Sequence, residues 1–349
     1  MACKLSVFRE PRLIDSIEYM LTYKVRFLLA HLFFEALKDK VSAKLIRKTL
    51  KELQNDAKEK EPKHALLRRA YDDAMERING QPVGYKKLAN HVLSWIICAK
   101  RPLKTIEVQY AWAVKDSEDE LDETAIPDAE DMLSVCCGLV VIDKESEIIR
   151  LVHYTVQEYF QDTLTRWFPT AHLDIANTCI SYLLFKDFSG GPVRTFEEAR
   201  VRLKKPLFTY AVDYWGYHTS TCSSCNPQLL DLLTNSEWVS MVVQLCAMFS
   251  KIRERPWLLE DSSLSLEHLR PSQNAFHMVG VYGLNNLVRA LLTSAEDIDP
   301  DQRDNRGKTP LIWASEYGHT DAVKTFLSDS RVDPNRQDNE GREPLHWAA

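Results

Sequence analysis

The feature that most constrains the fold of this 349-residue chain is an internal repeat in its C-terminal part. The stretch 304–314, DNRGKTPLIWA, recurs in register as 338–348, DNEGREPLHWA, with an offset of 34 residues. A weaker third copy precedes them, because 282–292, YGLNNLVRALL, matches 317–327, YGHTDAVKTFL. Repeats of this length are typical of stacked units that share one elongated core. The sequence therefore predicts a solenoid in this region.

Each unit combines two short amphipathic helices, a glycine turn between them and a turn rich in Asp and Asn, and it resembles the ankyrin repeat. The resemblance implies that Gly307 is a turn glycine, that Thr309-Pro310 opens the inner helix and that Lys308 faces solvent. It also implies a protein-binding surface on hairpin tips and inner helices. The exposed contact candidates are Arg303, Asn305, Arg306, Lys308, Ile312 and Glu316.

The tripeptide Gly307-Lys308-Thr309 also resembles the end of a phosphate-binding loop. Such a loop needs a second glycine five residues upstream, where its backbone must curl around a phosphate. Gln302 stands there, and the preceding residues 297–301 are polar and interrupted by proline. We therefore assign the tripeptide to the repeat and expect no nucleotide cofactor.

Ankyrin units usually carry a Thr-Pro-Leu-His tetrapeptide whose hydroxyl and imidazole connect neighbouring repeats. Thr309 is followed by Ile312 in place of the histidine, and His346 is preceded by Glu343 in place of the threonine. We therefore expect a weaker polar network than in an ideal array.

Composition narrows the function classes. The net charge of −6 gives no reason to expect nucleic acid or an anionic membrane as partner. The apolar run 27–34 is too short to span a bilayer, and no secretory signal is visible. Eight irregularly spaced cysteines are typical of reduced thiols in the cytosol or nucleus, and of these two we expect a cytoplasmic protein.

The middle of the chain predicts a winged helix. Helical patterns over 84–99 and from Thr105 are followed by an acidic loop and by a helix over 128–137 that ends at Gly138. Two strands, 139–142 and 148–152, then form a hairpin, and a capping box starting at Thr155 begins another helix.

Two stretches, VLSWIICAKRPL at 92–103 and IRLVHYTVQEYF at 149–160, resemble fungal NACHT–ankyrin proteins, which are related to immune receptors of the STAND class. The winged helix of that family is often named after GPI inositol-deacylase. The resemblance covers about 25–349 and implies a mainly α chain without the family's NACHT domain. Its expected parts are a helical tail (1–80), a winged helix with one small β-hairpin (81–165), a helical linker (166–270) and an ankyrin solenoid (271–349).

The ankyrin part would contain two full units and a truncated third. Leu345 and Trp347 should then be half covered, and Leu311, Ala314, Val323 and Leu327 should be open to water. We expect the natural protein to continue beyond Ala349, and this chain to be prone to self-association.

His153 is the strongest single candidate outside the repeats. It directly precedes a predicted helix, so its imidazole can share an anion with the helix N-terminus. By resemblance to complete NACHT proteins it occupies the position taken to sense the phosphate of bound ADP. The alternative is a buried histidine that holds the wing against the helix.

Two other sites were weighed. Cys222 and Cys225, with His218 nearby, could bind zinc, but no fourth ligand lies close in the sequence, so we expect no metal. The winged helix could bind DNA, yet its third helix begins with Asp128, Glu130 and Asp131, whose carboxylates would repel phosphates.

We find no recognisable catalytic set and expect a non-enzymatic module that binds a protein partner through its ankyrin surface in an NLR-like receptor. The alternative is part of a STAND NTPase whose nucleotide-binding domain is absent from this chain.

Overall fold

A computed structural model describes residues 63–115, 118–188, 190–222, 228–254 and 272–348. The helices predicted before residue 63, the apolar run 27–34, Cys225 and Ala349 lie outside the described residues. The fold is mainly helical with one small sheet, which confirms the predicted class. Contacts divide the chain into two compact units, one formed by 1–112 with 126–169 and the other by 113–125 with 170–349.

The first unit contains five helices and three strands within the described residues. They are α1 (Lys63–Asn79), α2 (Val83–Cys98), β1 (Leu103–Lys104), α3 (Thr105–Ala113), α4 (Ala129–Val135), β2 (Val140–Ile142), β3 (Ile148–Leu151) and α5 (Tyr154–Trp167).

The predicted hairpin is present as β2 and β3, and β1 adds a third strand that the sequence did not reveal. The order is β1-β3-β2, antiparallel throughout, with Leu103 opposite Ile149 and Val140 opposite Leu151. The backbone N–H and the hydroxyl of Thr105 both donate to the Glu147 carbonyl, which holds β1 beside the hairpin turn. A strand of two residues is too short to show the alternation that predicts strands.

Helix α1 packs on α5 within the same unit. The rings of Tyr71 and Tyr159 lie 5.2 Å apart, and the Tyr159 hydroxyl donates to Asp72 at 2.7 Å. Arg166 adds an ion pair to Asp72 at 3.0 Å. The helix Lys63–Asn79, which the predicted boundary places in the preceding tail, therefore shares the core of the winged helix.

The second unit is helical in all its described parts. After a short 3-10 turn (Glu123–Ala125) come α6 (Ala171–Leu183), a second 3-10 turn (Lys186–Phe188), α7 (Phe196–Leu203), α8 (Phe208–Ser220), α9 (Gln228–Thr234), α10 (Ser236–Glu254), α11 (Ala275–Tyr282), α12 (Asn285–Ser294), α13 (Pro310–Glu316), α14 (Thr320–Leu327) and α15 (Pro344–Trp347).

The linker helices pack directly on the first repeat. Tyr282 of α11 lies against Gly216 of α8, where an added Cβ would come within 2.3 Å of the tyrosine ring. Trp215 meets the same ring edge-on at 5.3 Å and Trp238 of α10 at 5.7 Å. The linker thus covers the apolar N-terminal side of the array.

The repeats have the glycine turns and helix starts that the sequence predicts. Gly307 and Gly341 occupy the left-handed region at φ 75° and 76°, which favours glycine, and both lie in the turns before inner helices. The Thr309 side chain accepts from the Ile312 backbone N–H, and Pro310 opens α13. Gly307 is a turn glycine, as predicted.

Candidate interaction site

A buried aspartate organises each hairpin turn between repeats. Oδ1 of Asp304 accepts from the backbone N–H groups of Arg306 and Lys308, and Oδ2 accepts from the Trp313 indole at 2.9 Å. Asp338 repeats this arrangement one unit later: it accepts from two backbone N–H groups of its own turn and from the Trp347 indole at 3.2 Å. The aspartate therefore fixes both the turn and the tryptophan of the inner helix that follows.

Lys308 lies between two of these tryptophans. Its Nζ is 4.5 Å from the ring centroid of Trp313 and 3.5 Å from that of Trp347, and it pairs with Glu316 at 2.5 Å. The side chain is only 4% exposed. The prediction that Lys308 faces solvent is therefore wrong, because the two indoles cover the methylene stem and the ammonium group together.

Ile312 is also wrong as an exposed contact candidate. It is fully buried in α13. Glu316 is half-buried beside Lys308. Arg303, Asn305 and Arg306 are exposed on the hairpin tip, as expected for contact residues.

Neighbouring tips are linked by Asn339. Its backbone N–H donates to the Arg306 carbonyl, and its side-chain amide donates to the Asn305 carbonyl. Its Oδ1 accepts from Arg303 at 3.0 Å. The tip residues therefore have a fixed backbone, while the Arg306 guanidinium stays free of hydrogen bonds to the described residues.

A row of rings on the second repeat escaped the sequence analysis. Trp313, Tyr317 and His319 stack nearly parallel, with centroids 6.0 and 6.2 Å apart and interplanar angles of 17° and 12°. Tyr317 is 54% exposed. The available signal was the four-residue spacing of two aromatic residues on one inner helix.

The polar network is stronger than expected in the first repeat. Asn274 stands in place of the threonine of the family tetrapeptide and His277 supplies its histidine, a copy that the sequence analysis missed. They form a reciprocal capping box, and His277 Nε2 lies 3.3 Å from the Lys308 carbonyl of the next repeat. In the last copy, Glu343 and His346 form a similar box. Amide and carboxylate oxygens thus substitute for the hydroxyl.

Two side chains of the network titrate abnormally. Burial lowers the pKa of His277 to about 4, against the opposing charge of Asp304. Burial would raise the pKa of Asp338, but hydrogen bonds from the Arg342 and Glu340 backbones and from the Arg342 and Trp347 side chains outweigh it and lower the pKa to about 2. Both groups therefore keep their neutral-pH forms well into acid.

In the winged helix, His153 itself caps α5. The helix begins one residue before Thr155, so the predicted capping box is wrong: Nδ1 of His153 accepts from the Thr155 backbone N–H at 3.3 Å. The Thr155 hydroxyl lies 2.9 Å from the same nitrogen and 2.6 Å from the buried Tyr71 hydroxyl. Since a backbone N–H only donates, Nδ1 is unprotonated and the proton sits on Nε2. The imidazole takes up the helix N–H that we expected it to share with an anion.

His153 also borders a groove of about 520 Å³ beside the sheet. Lys100, Arg101 and Arg150 line it, and the tilted Tyr154 ring has its centroid 4.4 Å from that of the histidine. Arg101 pairs with the buried Glu107 at 2.6 Å. The groove therefore combines apolar and basic lining residues.

His218, the histidine of the zinc site considered in the sequence, forms hydrogen bonds with other side chains. His218 is buried, with Nδ1 2.9 Å from Nδ1 of His172 and Nε2 2.8 Å from the Tyr210 hydroxyl. The Cys222 thiol donates to the His218 carbonyl. Across the described ranges, no three His, Cys, Asp or Glu side chains are grouped as metal ligands.

Comparison with known families gives two matches. Residues 75–168 match the winged helix domain of GPI inositol-deacylase, and residues 276–349 match ankyrin repeats in three copies. A search of curated proteins gave no match. Of the helices within the described ranges, none has the length and apolar character needed to cross a bilayer. The chain therefore carries a winged helix domain of the GPI inositol-deacylase type followed by ankyrin repeats.

Proposed function

We propose that this chain is a non-enzymatic, cytoplasmic regulatory module of an NLR-like NACHT–ankyrin receptor, and that it binds a protein partner through its ankyrin surface. The observation that carries the proposal is the exposed strip formed by the tip residues Arg303, Asn305 and Arg306 and by Tyr317, which caps the C-terminal end of the inner helix α13. We call these four residues the tip–ring surface.

The tip–ring surface has the make-up of a binding surface. Tyrosine and arginine are the residues that most often dominate binding energy, and here they are mounted on a turn held by Asp304 and Asn339. A rigid support lowers the entropy lost on binding. The winged helix acts in this proposal as a packing module, since α4 begins with Glu130 and Asp131 and would repel DNA.

Site-specific photo-crosslinking tests the proposal. A photoreactive phenylalanine analogue at Tyr317 should capture a discrete protein in cell extract, whereas the same analogue at the exposed Lys324 of the outer helix α14 should not. Capture at neither position, or equal capture at both, would count against binding through the tip–ring surface.

The alternative, a fragment of a STAND NTPase, is favoured by the basic groove at His153. It predicts saturable micromolar binding of a fluorescent ATP or GTP analogue that His153→Ala abolishes. The non-enzymatic proposal predicts no such binding. Genomic DNA upstream of Met1 can also be searched for an in-frame phosphate-binding loop.

A further inference from the structure

We propose that the tip–ring surface recognises an acidic segment of its partner, with a partner carboxylate at Arg306 and an apolar partner side chain on the Tyr317 ring. This inference rests on the proposed function and names the chemistry of the partner.

The cations of the inner surface differ in whether an acidic side chain pairs with them. Three of its cations are neutralised within the array: Lys308 pairs with Glu316, Arg342 with Asp338 and Arg336 with Asp301. Within the described part of the chain, neither the Arg303 guanidinium nor the Arg306 guanidinium forms an ion pair with a carboxylate. In a chain of net charge −6, the tip 303–306 therefore keeps two guanidinium groups without acidic partners.

The two arginines of the tip have different roles. Arg303 uses its Nε and Nη2 on the Gly307 carbonyl and on Asn339, so it has a structural task. The Arg306 side chain donates to no described residue, although its backbone is fixed on both sides. A fixed backbone with an unpaired guanidinium suits bidentate binding of a carboxylate.

The ring of Tyr317 is the apolar part of the same surface. Burial raises the pKa of Tyr317, and the positive charge of Arg306 opposes this rise. Its ring lies between those of Trp313 and His319, yet Tyr317 remains 54% exposed. An apolar side chain next to the carboxylate would cover the exposed part of the ring while the ion pair forms. Charge complementarity thus favours a short acidic segment with an apolar anchor.

The test uses a fluorescein-labelled peptide with a central Leu-Trp pair flanked by glutamates, and a matched peptide with lysines in their place. The full chain should bind the acidic peptide, more weakly as salt is added, and should bind the basic peptide at least about tenfold less well. Arg306→Glu should weaken binding about tenfold or more, and Arg306→Lys should weaken it less, because lysine keeps the charge but cannot pair in the bidentate way. Tyr317→Ala should weaken it several-fold.

Arg289→Glu is the matched control, because Arg289 is an exposed arginine of the outer helix α12 and undergoes the same charge change. It should leave binding within about twofold. Equal affinity for both peptides, no binding of the acidic one, or equal losses in the two arginine variants would overturn the inference. If crosslinking at Tyr317 persists in Arg306→Glu, only the acidic partner is wrong. If the photoreactive analogue at Tyr317 captures no protein even when Arg306 is unchanged, the proposed function is wrong.

Discussion

At the scale of single residues, Lys308 shows how a charged side chain is tolerated in a small core. A buried ammonium is costly unless it is paired. Here Glu316 supplies the counter-charge, and the faces of Trp313 and Trp347 supply negative potential on two sides. Because the two indoles belong to successive repeats, the lysine also connects those repeats.

Replacing Lys308 by alanine should therefore lower the free energy of unfolding by about 2 kcal/mol, since the cation–π contacts are lost and Glu316 loses its partner. Urea unfolding followed by tryptophan fluorescence measures this. Lys324→Ala is the control, because its ion pair with Asp321 is exposed, and it should cost less than about 0.5 kcal/mol. Equal effects of the two substitutions would contradict the role assigned to Lys308.

His277 gives a pH prediction of definite sign. An unfolded histidine titrates near 6.5, whereas burial lowers the pKa of folded His277 to about 4. Below about pH 6.5 the unfolded chain takes up a proton that the folded chain refuses. The stability contributed by His277 should therefore be complete above about pH 6.5 and be lost as the pH falls to about 4.

Unfolding of the protein and of His277→Asn should be compared across this pH range. The unsubstituted protein should be more stable at neutral pH, and the difference should shrink steadily towards pH 4. A difference that stays constant would show that the pKa of His277 is the same in the folded and the unfolded state.

At the scale of elements, the contact of α8 with α11 joins the linker to the repeats. Gly216 leaves the space that the Tyr282 ring fills, and Trp215 packs against the same ring. This is a close approach that only glycine permits, although helix propensity alone would favour alanine there.

Gly216→Ala should consequently destabilise the second unit by about 1–3 kcal/mol through overpacking. Thermal unfolding followed by near-ultraviolet circular dichroism measures the loss of aromatic packing. The double variant Gly216→Ala with Tyr282→Ala should cost less than the sum of the single changes. Strict additivity would mean that the two residues do not compete for the same space.

At the scale of the whole molecule, the apolar side chains at the C-terminal end of the second unit are partly buried and partly exposed. We expected Leu311, Ala314, Val323 and Leu327 to be open to water; Leu311 and Ala314 are buried and Val323 is half-buried, so the prediction was wrong for these three. Leu327 and Leu345 remain exposed, at 49% and 79%, and Trp347 is half-buried on Lys308 and Arg342. The apolar surface left over is smaller than the repeat pattern indicated.

We expect α15 to exchange its amide hydrogens faster than α13 and α14, because it has four residues and exposes Leu345. We also expect concentration-dependent self-association, which Leu327→Ser with Leu345→Ser should reduce. Hydrogen exchange and sedimentation velocity measure the two effects. Equal protection of 344–347 and 310–327 in a dilute monomer would contradict the first expectation.

The sequence by itself determined the ankyrin repeats, the hairpin of the winged helix and the glycine turns. These depend on local spacing: a 34-residue offset, alternation along strands, and a residue type at a left-handed φ. Their physical causes act within a few residues, so the pattern is visible in one dimension.

Only the tertiary structure decided which residues of those patterns face solvent. Lys308 and Ile312 look like surface positions of a single repeat, but both are buried in the array, and Trp347 of the next repeat covers the Lys308 ammonium. The pairing of β1, the notch at Gly216 and the cap made by His153 likewise depend on partners distant in sequence or on a shift of one residue. Burial and pairing between separate segments are sums over neighbours in space, which spacing along the chain does not encode.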